Sequence, residues 1–182
     1  MCRIGYHASH EQFKPSTLVN WARMAEAYGF QAISSSDHFF PWSERQHESG
    51  FSFAWLGAAM QVTSVPYNVV CAPGQRYHPA IIAQAVATLC QMFEGRFSMA
   101  LGSGEAINEN ITGDAWPSKE ARNNRLHECY TIIRKLLAGE TVTHNGTVCV
   151  QHARLYTLPR TQPLLLGAPV TTQAAKWMGS WP

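Results

Sequence analysis

Short apolar runs alternate along this chain with longer stretches whose apolar residues recur at helical spacing, and Gly, Ser or Pro marks most junctions. Arg3 to His7 predicts a first strand. Residues 15–28 predict an amphipathic helix with Pro15 in its first turn, Gly29 as its stop, and Leu18, Trp21, Ala22, Ala25 and Tyr28 on one face. A second strand over 31–35 runs into SSSDHFFPW, and a second helix covers 52–63. The third strand, 67–72, ends at Pro73-Gly74, and the third helix spans 79–93 between Pro79 and Gly95. The fourth strand, 96–101, leads into Gly-Ser-Gly-Glu, and the fourth helix, 119–138, is stopped by Gly139.

The rhythm then breaks. Residues 141–157 hold two β-like runs around Asn145-Gly146, which predicts a hairpin with a type I′ turn, an excursion from the main sheet. A fifth strand over 163–166 follows, and Gly167-Ala168-Pro169 leads into a helix beginning at Thr171 or Thr172. Alternating strands and helices predict parallel βαβ units. Periodicity leaves a doubly wound sheet and part of a barrel equally open, and both folds place function at the carboxyl ends of the strands.

Composition narrows the partners. Of 182 residues 46% are hydrophobic and 14% charged, which suits strands buried on both faces. The net charge of +2 is spread along the chain, so neither nucleic acid nor a membrane surface is an expected partner. The segment MCRIGYHAS lacks the basic and apolar regions of a signal peptide, and no apolar run approaches a membrane span. The expected location is the cytoplasm. Five cysteines at wide spacing, without a CxxC pair, predict reduced thiols packed as small apolar residues.

Polar residues gather at the predicted strand ends: His7, His10 and Glu11; Asp37, His38 and Trp42; Gln75, Arg76, Tyr77 and His78; Ser103, Glu105 and Asn108. Asp37-His38 offers an acid and an imidazole side by side, suited to general acid–base work, and equally a turn cap beside an ordinary loop histidine. Glu105 sits in a turn whose glycines permit close approach of backbone to a ligand. Residues 167–172 open a helix whose free N–H groups, with Thr171 and Thr172, suit a phosphate, although an ordinary N-cap explains them as well. His7, His38 and His78 lack metal-ligand spacing, so no metal is expected. Gly102 and Gly104 lack the third glycine of a dinucleotide fingerprint, which ranks a nicotinamide enzyme last.

Read together and in order, SDHFFPW at 36–42, QRYHPAIIAQAVATL at 75–89 and ALGSGEAINE at 100–109 resemble the luciferase-like superfamily. The branch they resemble most is that of the coenzyme F420-dependent glucose-6-phosphate dehydrogenases; HASHEQF at 7–13 and RLHECYTIIRKLLAGETVTHNG at 125–146 match the same branch. The resemblance implies an α/β fold, a (β/α)₈ TIM barrel present here as about the first five βα units with the hairpin before strand 5. It implies one incomplete domain over 1–182 and a homodimer for the full-length parent. It also implies hydride transfer between a small organic substrate, an alcohol or sugar phosphate, and FMN or F420. Some members use ordinary flavin, and the residues here do not decide between the two.

Carried over residue by residue, the resemblance makes His38 the base toward a substrate hydroxyl, with Asp37 beside it. Trp42 matches an active-site tryptophan, Glu105 the acid that serves the ring nitrogen, and Glu11 an acid near the pocket mouth. Gly104 and Asn108 belong to the ring-binding turn. A non-prolyl cis peptide that backs the ring falls at Val69–Val70, and Gly167, Thr171 and Thr172 fall at the cofactor's tail. Two departures stand out: His7 where the dehydrogenases carry lysine, and Val69-Val70 where they carry Ser-Val. The basic residues that bind substrate phosphate belong to units six to eight, beyond this sequence. An FMN-dependent monooxygenase and a truncated, non-catalytic fragment are the alternatives. A sheet with two open edges predicts poor solubility or association through those edges.

Overall fold

The structure is a computed structural model that describes residues 3–181. Five parallel strands form one sheet: β1 (Gly5–Ala8), β2 (Ala32–Ser36), β3 (Tyr67–Cys71), β4 (Phe97–Leu101) and β7 (Leu164–Gly167), in the order β1-β2-β3-β4-β7. Helices α1 (Pro15–Ala27), α2 (Ser52–Gln61), α3 (Pro79–Met92) and α5 (Lys119–Leu137) connect successive strands. A short α4 (Ala106–Glu109) and a 3₁₀ turn (Asn110–Thr112) lie between β4 and α5, and α6 (Thr172–Met178) follows β7. The sequence reading missed α4 and the 3₁₀ turn because each is too short to show a period.

The sequence explains most boundaries. Pro15 and Pro79 occupy first turns, where their missing N–H is no loss. The His78 ring accepts from Ala80 N at 3.2 Å, and Ser118 Oγ from Ala121 N at 3.2 Å, so α3 and α5 are capped by side chains. Arg96, before β4, reaches the end of α2: one guanidinium nitrogen donates to the carbonyls of Met60, Thr63 and Val65 at 3.1, 2.6 and 3.2 Å. This cation satisfies carbonyls that the helix leaves open.

The core runs between sheet and helices. Leu18, Ile33, Leu56, Met60, Tyr67, Val69, Ile82, Met99, Leu101, Leu126, Ile132, Ile133 and Leu136 are fully buried. Cys71, Cys90 and Cys129 are buried free thiols within it, while Cys149 is exposed and free; Cys2 lies outside the described residues. β1 and β7 leave two sheet edges, and Leu164 and Leu166 on β7 are exposed.

Two expectations need correction. The Val69–Val70 bond is trans, and there is no cis peptide among the described residues. Here β3 keeps regular parallel register with both neighbours, Val69 opposite Ser35 and Met99, Val70 opposite Ser36 and Ala100. Nothing in that regular ladder offsets the roughly 2.5–4 kcal/mol that favours trans.

The second correction concerns the hairpin of β5 (Val142–Asn145) and β6 (Cys149–Ala153). The hairpin is present, but Asn145 pairs with Cys149 across a three-residue loop, and neither Asn145 nor Gly146 has positive φ. A type I′ turn requires positive φ at both central positions. The loop is shaped instead by Glu128 of α5, whose carboxylate accepts from Thr147 N at 2.9 Å, Val148 N at 3.3 Å and His144 Nε2 at 2.8 Å. A tertiary contact thus overrides the local dipeptide preference.

Candidate active site

Residues at the carboxyl ends of β2, β3, β4 and β7 enclose a cavity of about 400 Å³. Its apolar wall includes Val70, 37% exposed, with Cys71 and Ala72 behind it. Asp37, His38, Gly104, Glu105, Asn108 and Thr171 line it as well, so seven of the sequence-predicted site residues share one space. Five others do not line it. Glu11 lies behind His38 and Trp42 beside it, as described below. Val69 is fully buried, because neighbouring residues of a strand face opposite sides of the sheet. Gly167 faces α6, and a Cβ there would fall 2.6 Å from Met178 Sδ, so this glycine serves helix packing. Thr172 is exposed in the first turn of α6, and the Thr171 hydroxyl is engaged as its N-cap, 3.1 Å from Ala174 N.

The acid–imidazole pair is not the one read from adjacency. His38 Nδ1 lies 2.5 Å from Glu11 Oε1, whereas the Asp37 carboxylate turns away and meets Arg76 Nη2 at 3.0 Å. Consecutive residues leaving a strand diverge, and each finds its partner on another loop. Glu11 is buried, and its carboxylate also accepts from Ser9 Oγ at 2.8 Å and Ser36 Oγ at 3.3 Å. Burial alone raises its pKa, but the hydrogen bonds from His38 and Ser9 outweigh burial and hold it down to about 2. Because Glu11 accepts at Nδ1, a neutral His38 carries its proton there and keeps an open lone pair on Nε2. Trp42 packs edge-on against the His38 ring, with centroids 5.0 Å apart, and is itself exposed.

A carboxylate whose folded pKa is depressed adds stability above its unfolded value and loses it as pH falls through the folded one. For Glu11 that window runs from 4.5 down to about 2. We expect acid unfolding followed by circular dichroism to show a loss of roughly 3 kcal/mol in this window. In Glu11→Gln that pH-dependent step should vanish. An unchanged acid profile in Glu11→Gln would show that the carboxylate is not held as described.

Arg76 and Glu109 complete the site, and the sequence reading gave neither a role. Arg76 Nη2 donates to the Asp37 carbonyl at 2.9 Å, Nη1 to Tyr77 Oη at 3.1 Å, and Nε faces Glu109 Oε1 at 3.5 Å. Glu109 Oε2 accepts the Arg76 backbone N–H at 2.9 Å. The Arg76, Asp37 and Glu109 side chains are all nearly inaccessible. Asn108 accepts from the backbone N–H groups of Phe39 and Phe40 at 2.8 and 3.1 Å and donates to Glu105 Oε2 at 3.3 Å, tying the β2 loop to the β4 loop. Gly104 sits at φ +80°, a conformation that favours glycine, and a Cβ there would lie 3.0 Å from Glu109 Cγ. Glu109 stands four residues after Glu105, one helical turn on. That spacing was the available signal, hidden by the shortness of α4.

Among the described residues no group of three or more His, Cys, Asp or Glu side chains is placed to hold a metal ion, and no helix is long and apolar enough to cross a membrane.

The model of the luciferase-like monooxygenase family matches residues 1–179. The chain belongs to this family. It is 41% identical over 179 residues to an F420-dependent glucose-6-phosphate dehydrogenase of Microbacterium testaceum (strain StLB037), covering 95% of this chain and 53% of that protein. A protein of the same description from Nakamurella multipartita (strain ATCC 700099 / DSM 44233 / CIP 104796 / JCM 9543 / NBRC 105858 / Y-104) is 40% identical, with the same coverage of both chains. Among solved structures, an F420-dependent secondary alcohol dehydrogenase in complex with an F420-acetone adduct superposes with a TM-score of 0.93. It is 38% identical and covers 97% of this chain and 55% of its own. The chain thus spans about half the length of the relatives it matches. Membership decides what periodicity left open: the parallel units are those of the family's barrel, not of a doubly wound sheet.

Proposed function

We propose that this chain carries the ring-binding and proton-transfer half of an oxidoreductase that moves hydride between an alcohol carbon of a small organic substrate and F420 or FMN. The observation that carries this reading is the Glu11–His38 pair set beside a cavity walled by Val70 and the Gly104–Glu105 turn. The names of the similar proteins favour F420 over FMN.

The residues present fit such a cofactor. Val70 offers an apolar surface to a planar ring, Gly104 leaves room at the turn, and Glu105 and Asn108 stand within the same cavity. The bound ring would supply or accept the hydride. The protein's own part is acid–base and positional. Glu11, ionised and buried, holds the His38 ring by its Nδ1, so Nε2 is free to take the proton of a substrate hydroxyl as the carbon gives up hydride. Trp42 limits the swing of the ring. Asp37, locked by Arg76, fixes the backbone from which His38 projects. We read residues 1–182 as one incomplete barrel domain of a parent that is a cytoplasmic homodimer.

Fluorescence titration of the full chain with F420 and with FMN tests the proposal. Saturable binding of at least one is expected, and Val70→Asp, which sets a charge on the ring wall, is expected to weaken it by about tenfold or more. Failure of both cofactors to bind would overturn the reading.

A further inference from the structure

The cavity has a basic end that the acid–base chemistry does not use. Lys119, Arg122 and Asn123 lie on one face of α5 and line the same cavity as Val70 and Glu105. Lys119 and Arg122 stand in or beside the first turn of α5, at the positive end of the helix dipole, where a cation is disfavoured. Nearby carboxylates do not explain them. Asp37 and Glu109 are engaged by Arg76, Glu105 is held by Asn108, and neither Lys119 nor Arg122 forms an ion pair among the described residues.

Arg122 is also pre-positioned. Its Nη1 donates to the Pro117 carbonyl at 2.6 Å, and its guanidinium stacks over Trp116 at 4.5 Å from the ring centroid. Its Nε is buried and makes no hydrogen bond among the described residues. A guanidinium so held loses little freedom when it meets a planar or tetrahedral oxyanion. Asn123 adds an amide donor within the same lining.

We infer that Lys119, Arg122 and Asn123 form an anion subsite that takes a phosphate group of a ligand lying along this cavity. The identity of that ligand rests on the proposed function, but the existence of the subsite does not. A cofactor phosphate and a phosphorylated substrate present the same chemistry to these residues.

Calorimetric titration of the full chain with inorganic pyrophosphate reads the subsite without any ring. Binding is expected, weakened about tenfold or more in Lys119→Ala and in Arg122→Ala. Lys119 is exposed, so its variant folds normally and keeps the test valid if Arg122→Ala does not fold. FMN is expected to bind more tightly than riboflavin, with the advantage collapsing in Lys119→Ala. If that advantage survives in the variant while glucose 6-phosphate no longer displaces pyrophosphate, the phosphate comes from the substrate and the subsite stands. If pyrophosphate binds and the variants lose it, yet neither FMN nor F420 binds, the subsite stands and the ring reading falls. Pyrophosphate that fails to bind, or binds the variants as tightly as the wild type, would overturn the inference whatever the flavins do.

Discussion

Arg76→Met is expected to destabilise the fold by about 3–5 kcal/mol, the usual consequence of leaving buried charges unpaired. Its guanidinium sits between two carboxylates, 3.0 Å from Asp37 Oδ2 and 3.5 Å from Glu109 Oε1, and neither has solvent to replace it. Methionine keeps the volume and apolar stem of the arginine, so the loss reports charge and hydrogen bonding rather than a cavity. Two controls make the result specific. Orphaned buried carboxylates bind protons more readily, so the deficit in urea unfolding should shrink as pH is lowered towards 5 and below. Adding Asp37→Asn to Arg76→Met should recover part of the loss, because it removes one orphan. A deficit below about 1 kcal/mol, or one indifferent to pH, would mean that the triad is not held as described.

On the proposed function, His38→Asn is expected to lower kcat for alcohol oxidation by about 10²–10⁴, the range for removing a positioned general base. The loss should fall on kcat at saturating substrate more than on KM, since the proton is in transit only in the transition state. Glu11→Gln separates orientation from basicity. An amide can present its oxygen to Nδ1 and keep the tautomer, but it no longer stabilises an imidazolium. We expect an intermediate loss of kcat, smaller than in His38→Asn, because the amide still orients the ring but places no charge beside it. Asp37→Asn should lower kcat less than Glu11→Gln does, since Asp37 faces Arg76 and not His38. A kcat that falls further in Asp37→Asn than in Glu11→Gln would reverse the assignment. These kinetic measurements use F420 and a small alcohol or glucose 6-phosphate with the full chain.

Much of the architecture was legible in the chain. The period changes at 15, 52, 79 and 119 marked four helices, and prolines or capping residues marked most of their starts, because backbone satisfaction at a helix end is a local matter. The candidate residues could also be gathered, since strand ends in a parallel sheet converge on one face. Partnership within that set was not legible. Asp37 and His38 are neighbours in sequence and were read together, yet the pleat sends them to different partners, 39 and 27 residues away.

By itself the sequence determined the family, the order of strands and helices, and the loading of polar chemistry onto strand ends, all of which are written in contiguous residues. Only the tertiary structure decided that Glu11 is the acid behind His38, that Arg76 holds Asp37 and Glu109, and that Val70 and not Val69 faces the cavity. It also decided that the 69–70 bond is trans and that Glu128 shapes the hairpin loop. The physical reason is common to all five. A buried charge or N–H group must find a partner, a side chain must face one side of its sheet, and a peptide bond must suit its ladder. Each requirement is met by residues that chain spacing does not identify.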